Sequence, residues 1–271
     1  MKALRNSLKK RLRKIIEILP WGEDFYHRYW IYPRANDLVR GKFHSFAECA
    51  AAAKGEAANN YDVNNLRKSV DREISGISRQ FDISDYPAMF WLSRIVAPSS
   101  SVVELGGSVG YAFYNYDRYI GFNDSIAWRI VELPGAVTVG QEVAARLGET
   151  RLTFSNEIGE FGPVDIFYSS GTLQYLSDDL TDILSSMQTL PEHVILNRVP
   201  MYSGPEFWTL QHLGAGEVPY KVQSVNGIIE QMARLGYELL DQWAKHRSLR
   251  VAFTDIDVPD AYRGMYFKKK Q

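Results

Sequence analysis

The 271-residue sequence has one cysteine, no long apolar run and almost no net charge, with 31 Lys+Arg standing against 32 Asp+Glu. A lone Cys49 makes no intrachain disulfide and no zinc constellation, so no metal site is expected, and it fits a reducing compartment. No stretch approaches the roughly 20 apolar residues that span a bilayer. Repeats and low-complexity segments are also missing. What remains is 45% apolar and 23% charged residues, an ordinary globular composition for one large domain or two unequal ones.

The near-zero charge is unevenly spread. Residues 1–20 carry Lys2, Arg5, Lys9, Lys10, Arg11, Arg13 and Lys14 against Glu17 alone, a balance of +6 that leaves −7 for the other 251 residues. Leu4, Leu8, Leu12, Ile15, Ile16 and Leu19 fall on one face of a 3.6-residue helix, which Pro20 ends before Trp21. Glu17 and Pro20 interrupt the apolar run and no cleavage site follows, which argues against a secretory signal. Two readings stand: a basic amphipathic helix on an anionic membrane surface with Trp21 at the interface, or a terminal helix packed on its own protein. One short basic run on an acidic body, with no nucleic-acid-binding motif, makes nucleic acid an unexpected partner.

Two regimes follow. Residues 21–98 read as a helical, aromatic-rich cap. It has a helix over 45–58 opened by a capping box of Ser45 and Glu48, another over 63–81 and a third over 87–96. From 99 to 271 short strands alternate with helices. Strands are predicted at 101–105, 128–133, 151–154, 164–168, 193–197, 237–243 and 264–269. Helices are predicted at 111–120, 136–147, 178–189 and 227–235. This alternation implies an α/β fold, a mostly parallel sheet with helices on both faces, whose ligands bind beyond the carboxyl ends of the strands.

Val102-Val-Glu-Leu-Gly-Gly-Ser-Val-Gly110 is the most informative stretch. A buried strand runs into a turn with glycines at 106, 107 and 110, where backbone can approach a ligand and adopt positive φ, and the next helix presents free N–H groups. The nicotinamide fingerprint G-x-G-x-x-G fails, since Ser108 and Tyr111 occupy glycine positions and Glu104 ends the strand.

Glu104-Leu-Gly-Gly-Ser-Val-Gly110 resembles the first motif of class I S-adenosylmethionine-dependent methyltransferases, (D/E)-x-G-x-G-x-G, with Ser108 in place of the middle glycine. The resemblance covers about 100–271 and implies a Rossmann-like seven-stranded sheet and S-adenosyl-L-methionine as cofactor. It places Glu104, Gly106, Gly107, Ser108 and Gly110 in the cofactor turn and gives Glu132, with Leu133 beside it, the two ribose hydroxyls. A carboxylate suits a vicinal diol because charged acceptors make the stronger bonds. The resemblance puts Asn156 and Glu157 near the adenine, and Ser169 and Ser170 on the methionine side. Asn156 also reads as a turn or cap residue, and the two serines as ordinary loop residues. Glu-Leu-Gly-Gly and Glu-Leu-Pro look closest to the small-molecule O-methyltransferase branch. The whole chain, with its Tyr61-Asp62 pair, also resembles an uncharacterised methyltransferase-like group of bacterial surface-polysaccharide gene clusters. That implies a hydroxylated small-molecule acceptor such as a sugar, in the cytoplasm or peripheral to the inner membrane face.

Methyl transfer needs few catalytic groups: alignment, exclusion of water and, for an oxygen acceptor, a general base. His212, expected in a loop beyond the fifth strand, is a candidate base, with packing as the ordinary alternative. Arg198 ends that strand and suits a carboxylate or phosphate of the acceptor, or an ion pair with a neighbouring acid. Tyr111, Gln174, Tyr175 and Tyr202 are candidate lining residues. A non-catalytic nucleoside- or partner-binding module on the same fold is the alternative function.

Overall fold

The computed structural model describes residues 12, 15–25, 39–55, 66, 67, 70, 82–213 and 216–270. Most of the helix expected over 63–81 and of the basic end lies outside them. In chain order the named elements begin with α1 (Gly22–Phe25), β1 (Val39–Phe43), α2 (Phe46–Ala51) and α3 (Asp85–Ile95). Then come β2 (Ser101–Leu105), α4 (Tyr111–Ile120), β3 (Ala127–Val131), α5 (Pro134–Leu147), β4 (Leu152–Ser155), β5 (Ile166–Ser170) and α6 (Leu180–Ser185). The chain closes with β6 (His193–Tyr202), β7 (Phe207–His212), β8 (Glu217–Ser224), α7 (Val225–Arg234), β9 (Tyr237–Lys245), β10 (Leu249–Ala252), β11 (Asp257–Val258) and β12 (Tyr262–Lys269).

These elements fall into two compact units, and their boundaries differ from the expected division at 20 and 98. The first unit comprises 1–58, 207–221 and 248–259; the second takes 59–206, 222–247 and 260–271.

The first unit corrects the purely helical reading of 21–98. β1 is a strand, parallel to β10 and antiparallel to β7. Its residues Val-Arg-Gly-Lys-Phe look unlike a strand because Arg40 is buried and satisfied by its fold rather than by its neighbours in sequence. Arg40 Nε and Nη2 reach Glu217 Oε1 and Oε2 at 2.6 and 2.7 Å, and Lys54 N–H donates to the same carboxylate at 2.9 Å. Buried charges persist only when paired in this way. Half of the expected capping box is present: Glu48 N–H donates to Ser45 Oγ at 3.1 Å, while the Glu48 carboxylate reaches past the cap and accepts from His44 N–H at 2.8 Å. Cys49 packs with Trp208 and Leu210 and donates to Thr209 O at 3.2 Å. Burial pushes its thiol up to about 11, so it is a packing residue rather than a reactive one.

The second unit holds the sheet the alternation predicts. Its strand order is β4-β3-β2-β5-β6-β12-β9. The first five are mutually parallel, and β12 runs antiparallel between β6 and β9. This is a Rossmann-like α/β sheet of seven strands, extended where Gln223 and Ser224 pair with Met201 and Tyr202. Side chains alternate across it. Val103, Phe167, Leu196 and Phe267 face α6 and α7 through Leu184, Ile228 and Met232. Val102, Ile166, Tyr168, Ile195 and Tyr266 face α3 and α4 through Ala88, Leu92 and Phe113. The chain enters at β2, steps outward to β3 and β4, then returns to the other side at β5. Strand order therefore reverses between β2 and β5, where such sheets open a crevice beyond their carboxyl ends.

Candidate functional site

The glycine turn stands at that crevice. Gly106 has φ +76°, and a Cβ on it would lie 1.9 Å from Thr172 Oγ1 in the loop after β5. Only glycine meets both demands, so the turn after β2 and the loop after β5 close on one another. A Cβ on Gly107 would strike the Glu104 carboxyl carbon at 2.6 Å; this glycine makes room for the acid below it. Gly110 caps α4 with φ +94°. Ser108, where the resembling motif has glycine, takes φ +53°, a left-handed conformation that short polar residues tolerate better than bulky ones.

Glu104 is 3% exposed and accepts the Trp128 indole N–H at 2.8 Å. Burial, above all, pushes its carboxyl up to about 7, and the Trp128 hydrogen bond only partly counteracts it. Glu132 follows β3 and bends back over the turn: its carboxylate accepts from Ser108 N–H at 3.2 Å and Leu133 N–H at 2.6 Å. Burial raises its pKa, and these two N–H groups work in the other direction. Asn156, after β4, donates from Nδ2 to Glu132 O at 2.7 Å. Ser108, Glu132, Leu133 and Asn156 therefore meet at the ends of β2, β3 and β4, with the Leu133 side chain half exposed beside them. Glu157 lies one residue further on and is exposed, its N–H held by Ser155 Oγ at 2.9 Å.

On the other side of the crevice Ser169 is fully buried and donates to Leu105 O at 3.1 Å, which ties β5 to β2. Ser170 Oγ and Gln174 Oε1 are buried without a hydrogen-bond partner among the described residues. Uncompensated buried polar atoms are rare and mark a place where a further group belongs.

The strongest feature was not legible in the sequence. Asp85, the first residue of α3 and only 5% exposed, is the hub of a polar layer on the α3–α4 face. Its Oδ1 accepts from Tyr116 at 3.2 Å, Asn197 at 3.1 Å, and Arg198 Nε and Nη2 at 3.2 and 2.5 Å. The Tyr116 and Tyr168 hydroxyls are 2.8 Å apart, and Trp243 Nε1 donates to Asn197 Oδ1 at 3.0 Å. The helix predicted from Pro87 leaves Asp85 outside, and nothing in the local pattern singles out Tyr116 or Tyr168. Burial works against the Arg198 charge, but the Asp85 carboxylate outweighs it and holds the guanidinium above its ordinary pKa. Arg198 therefore makes the ion pair that was its alternative reading.

His212 is corrected in its setting. It ends β7 rather than sitting in a loop, is 1% exposed and belongs to the first unit. His193 begins β6, at the end away from the crevice, with Nδ1 2.9 Å from the Tyr266 hydroxyl. Among the described residues no cluster of metal-ligating side chains occurs, and no helix is long and apolar enough to cross a membrane.

No protein-family model matches the chain, and no curated protein matches it in sequence. Solved structures do resemble it in shape. The 1,6-didemethyltoxoflavin-N1-methyltransferase of Burkholderia thailandensis, with 1,6-didemethyltoxoflavin and S-adenosylhomocysteine bound, shares 17% identity over 80% of this chain and 92% of that one, with a TM-score of 0.48. The magnesium protoporphyrin IX methyltransferase of Synechocystis PCC 6803, with S-adenosylmethionine bound, shares 14% identity over 79% and 100% of the two chains at a TM-score of 0.46. The CcbJ methyltransferase of Streptomyces caelestis shares 14% over 71% and 98% at 0.47.

Proposed function

We propose that the chain is an S-adenosylmethionine-dependent methyltransferase that methylates a hydroxyl of a small molecule. The observation that carries this reading is the placement of Glu132. A carboxylate at the end of β3 is held over the Gly106–Gly110 turn by Ser108 and Leu133 N–H groups, with oxygen lone pairs left for a ribose diol. The residues present fit such a cofactor. Asn156 lies beside Glu132, the half-exposed Leu133 offers an apolar surface to a base, and the unpartnered Ser170 Oγ and Gln174 Oε1 stand where the methionine end would lie.

The cofactor supplies, when bound, a methyl group on a sulfonium whose departing thioether needs no acid. This chain's residues bind and orient: Glu132 the ribose, the glycine turn the backbone approach, and the loop after β5 the reacting end, with water kept out. A sugar acceptor and a place in surface-polysaccharide assembly rest on the resemblance of the sequence alone.

Contact with a membrane surface belongs to the same proposal. In the basic end, Ile15, Ile16 and Glu17 are helical, Glu17 pairs with Arg250 at 2.9 Å, and Leu12, Ile15, Ile18 and Trp21 are 47, 53, 81 and 54% exposed. Exposed apolar residues at this end favour a peripheral address at the inner membrane face over self-packing. Loss of vesicle flotation on deleting residues 1–20 is the expected result; equal flotation of both forms refutes it.

The test of the main reading is thermal shift with S-adenosylmethionine, S-adenosylhomocysteine and NAD. Either adenosyl ligand at 100 times its Kd stabilises by about 2.7 kcal/mol, and NAD gives no shift. Silence toward both adenosyl ligands overturns the proposal. Binding without turnover across a panel of hydroxylated acceptors favours a non-catalytic module instead.

A further inference from the structure

The polar layer around Asp85 holds one group that cofactor binding does not use. Consecutive residues of a regular strand point to opposite faces, yet Asn197 and Arg198 reach the same oxygen of Asp85. The cause is a break in register. β12 pairs Arg263 with Val199 and Met265 with Leu196, so Asn197 and Arg198 together oppose Gly264. Arg198 takes φ +53° there, a conformation that costs an ordinary residue roughly 1–2 kcal/mol. Gly264 has no side chain because the Trp243 ring would lie 2.1 Å from its Cβ, and that indole secures Asn197. Bulges of this kind re-aim side chains beside active sites, and an observed strained residue is grounds for a functional assignment.

Asp85 occupies Nε and one N–H of Nη2. The other three of the five guanidinium N–H groups have no partner among the described residues, and the Arg198 side chain is 42% exposed. The fork is thus pinned along one edge and open along the other. Gln174 Nε2 and Arg198 Cβ lie 3.8 and 3.9 Å from the point a Cβ on Gly171 would occupy, so Gln174 and Arg198 flank one space. Ser170, its hydroxyl also without a partner among the described residues, stands across the ladder from Asn197. The ribose carboxylate follows β3, three strand spacings away, about 14 Å.

We infer that Arg198, aimed by Asp85 and the bulge, binds a carboxylate or phosphate carried by the methyl acceptor. This rests on the methyltransferase reading and narrows the acceptor to anionic, hydroxylated small molecules. A planar fork fits two oxygens of such a group, and Asp85 and Asn197 act as positioning residues that keep the fork in plane.

The experiment titrates inorganic phosphate, at constant ionic strength, into the full-length protein saturated with S-adenosylhomocysteine. Wild type is expected to show saturable stabilisation. Arg198→Lys should weaken phosphate affinity about tenfold and Arg198→Gln should abolish it, while affinity for S-adenosylhomocysteine changes by less than about threefold. The same phosphate response in all three proteins, or none in wild type, overturns the inference. A selective loss of S-adenosylhomocysteine affinity in Arg198→Gln, with 5′-methylthioadenosine still bound, places the cofactor's own carboxylate on Arg198 and overturns the assignment to the acceptor. Failure of wild type to bind S-adenosylhomocysteine while phosphate still binds refutes the methyltransferase reading but leaves the anion site standing.

Arg198→Gln leaves a buried carboxylate without its cation and risks misfolding, so phenylglyoxal labelling of wild type supplies an arm without variants. Phosphate should slow modification of Arg198 about fivefold or more, and an unchanged rate overturns the inference.

Discussion

Asp85 and Arg198, 113 residues apart, share a single carboxylate oxygen, with Nη2 2.5 Å from Oδ1. That contact joins the start of α3 to a bulge in β6, and it also receives Tyr116 and Asn197. Four donors on one buried oxygen make Asp85 a structural keystone of the acceptor side as well as the orienter of Arg198.

Asp85→Ala is therefore expected to destabilise the protein by about 3 kcal/mol, since buried donors and a half-buried cation lose their common partner. Urea unfolding measures it. Asn197→Ala should couple to it by more than about 0.5 kcal/mol in a double-mutant cycle, because the two share a network. Additive effects would show that the hub does not act as a unit.

Glu132→Ala should weaken S-adenosylhomocysteine binding at least about tenfold, some 1.4 kcal/mol. Isothermal titration calorimetry reads this directly. Unchanged affinity removes Glu132 from the site.

The pH dependence follows from Glu104. Its folded pKa, about 7, lies above the usual glutamate value of about 4.3. The folded state then retains a proton that the unfolded chain gives up. Stability falls as pH rises from about 4.5 through about 7 and levels above that. Glu104→Gln cannot ionise, so wild type should lose stability relative to it by roughly 3 kcal/mol between pH 4.5 and 8. Parallel stability curves for the two proteins would contradict a raised pKa at this residue.

Two glycines separate backbone strain from collision. Gly121 has φ +69° with nothing among the described residues within 4 Å of a Cβ, whereas Gly106 combines φ +76° with Thr172 at 1.9 Å. Gly121→Ala should cost about 1 kcal/mol and leave cofactor binding intact. Gly106→Ala should cost more than about 2 kcal/mol and abolish binding, because the loops after β2 and β5 are forced apart. Equal stability loss and equal binding in the two variants would mean that the turn does not close on that loop.

The strands and helices of the second unit were legible from residue 101 onward because each is a local pattern: an apolar run, a glycine turn, a cap. Glu104, the glycines and Glu132 were legible for the same reason, as residues next to strand ends. β1, β7, β8, β10 and β11 were not. β1 carries Arg40, Gly41 and Lys42, and β7 is buried on both faces with Thr209, Gln211 and His212 among its residues, so neither shows an alternating face. β1 pairs with β7 and β10 across more than 150 residues, and pairing at that distance leaves no local trace.

By itself the sequence determined the parallel α/β order, the turn after β2 and the acids that end β2 and follow β3, since those depend on residues adjacent in the chain. Tertiary structure alone decided the bulge at Asn197–Arg198, the gathering of α3, α4, β5 and β6 around Asp85, and the open edge of Arg198. Those depend on which residue of a neighbouring strand stands opposite, a matter of register set by packing rather than by local sequence.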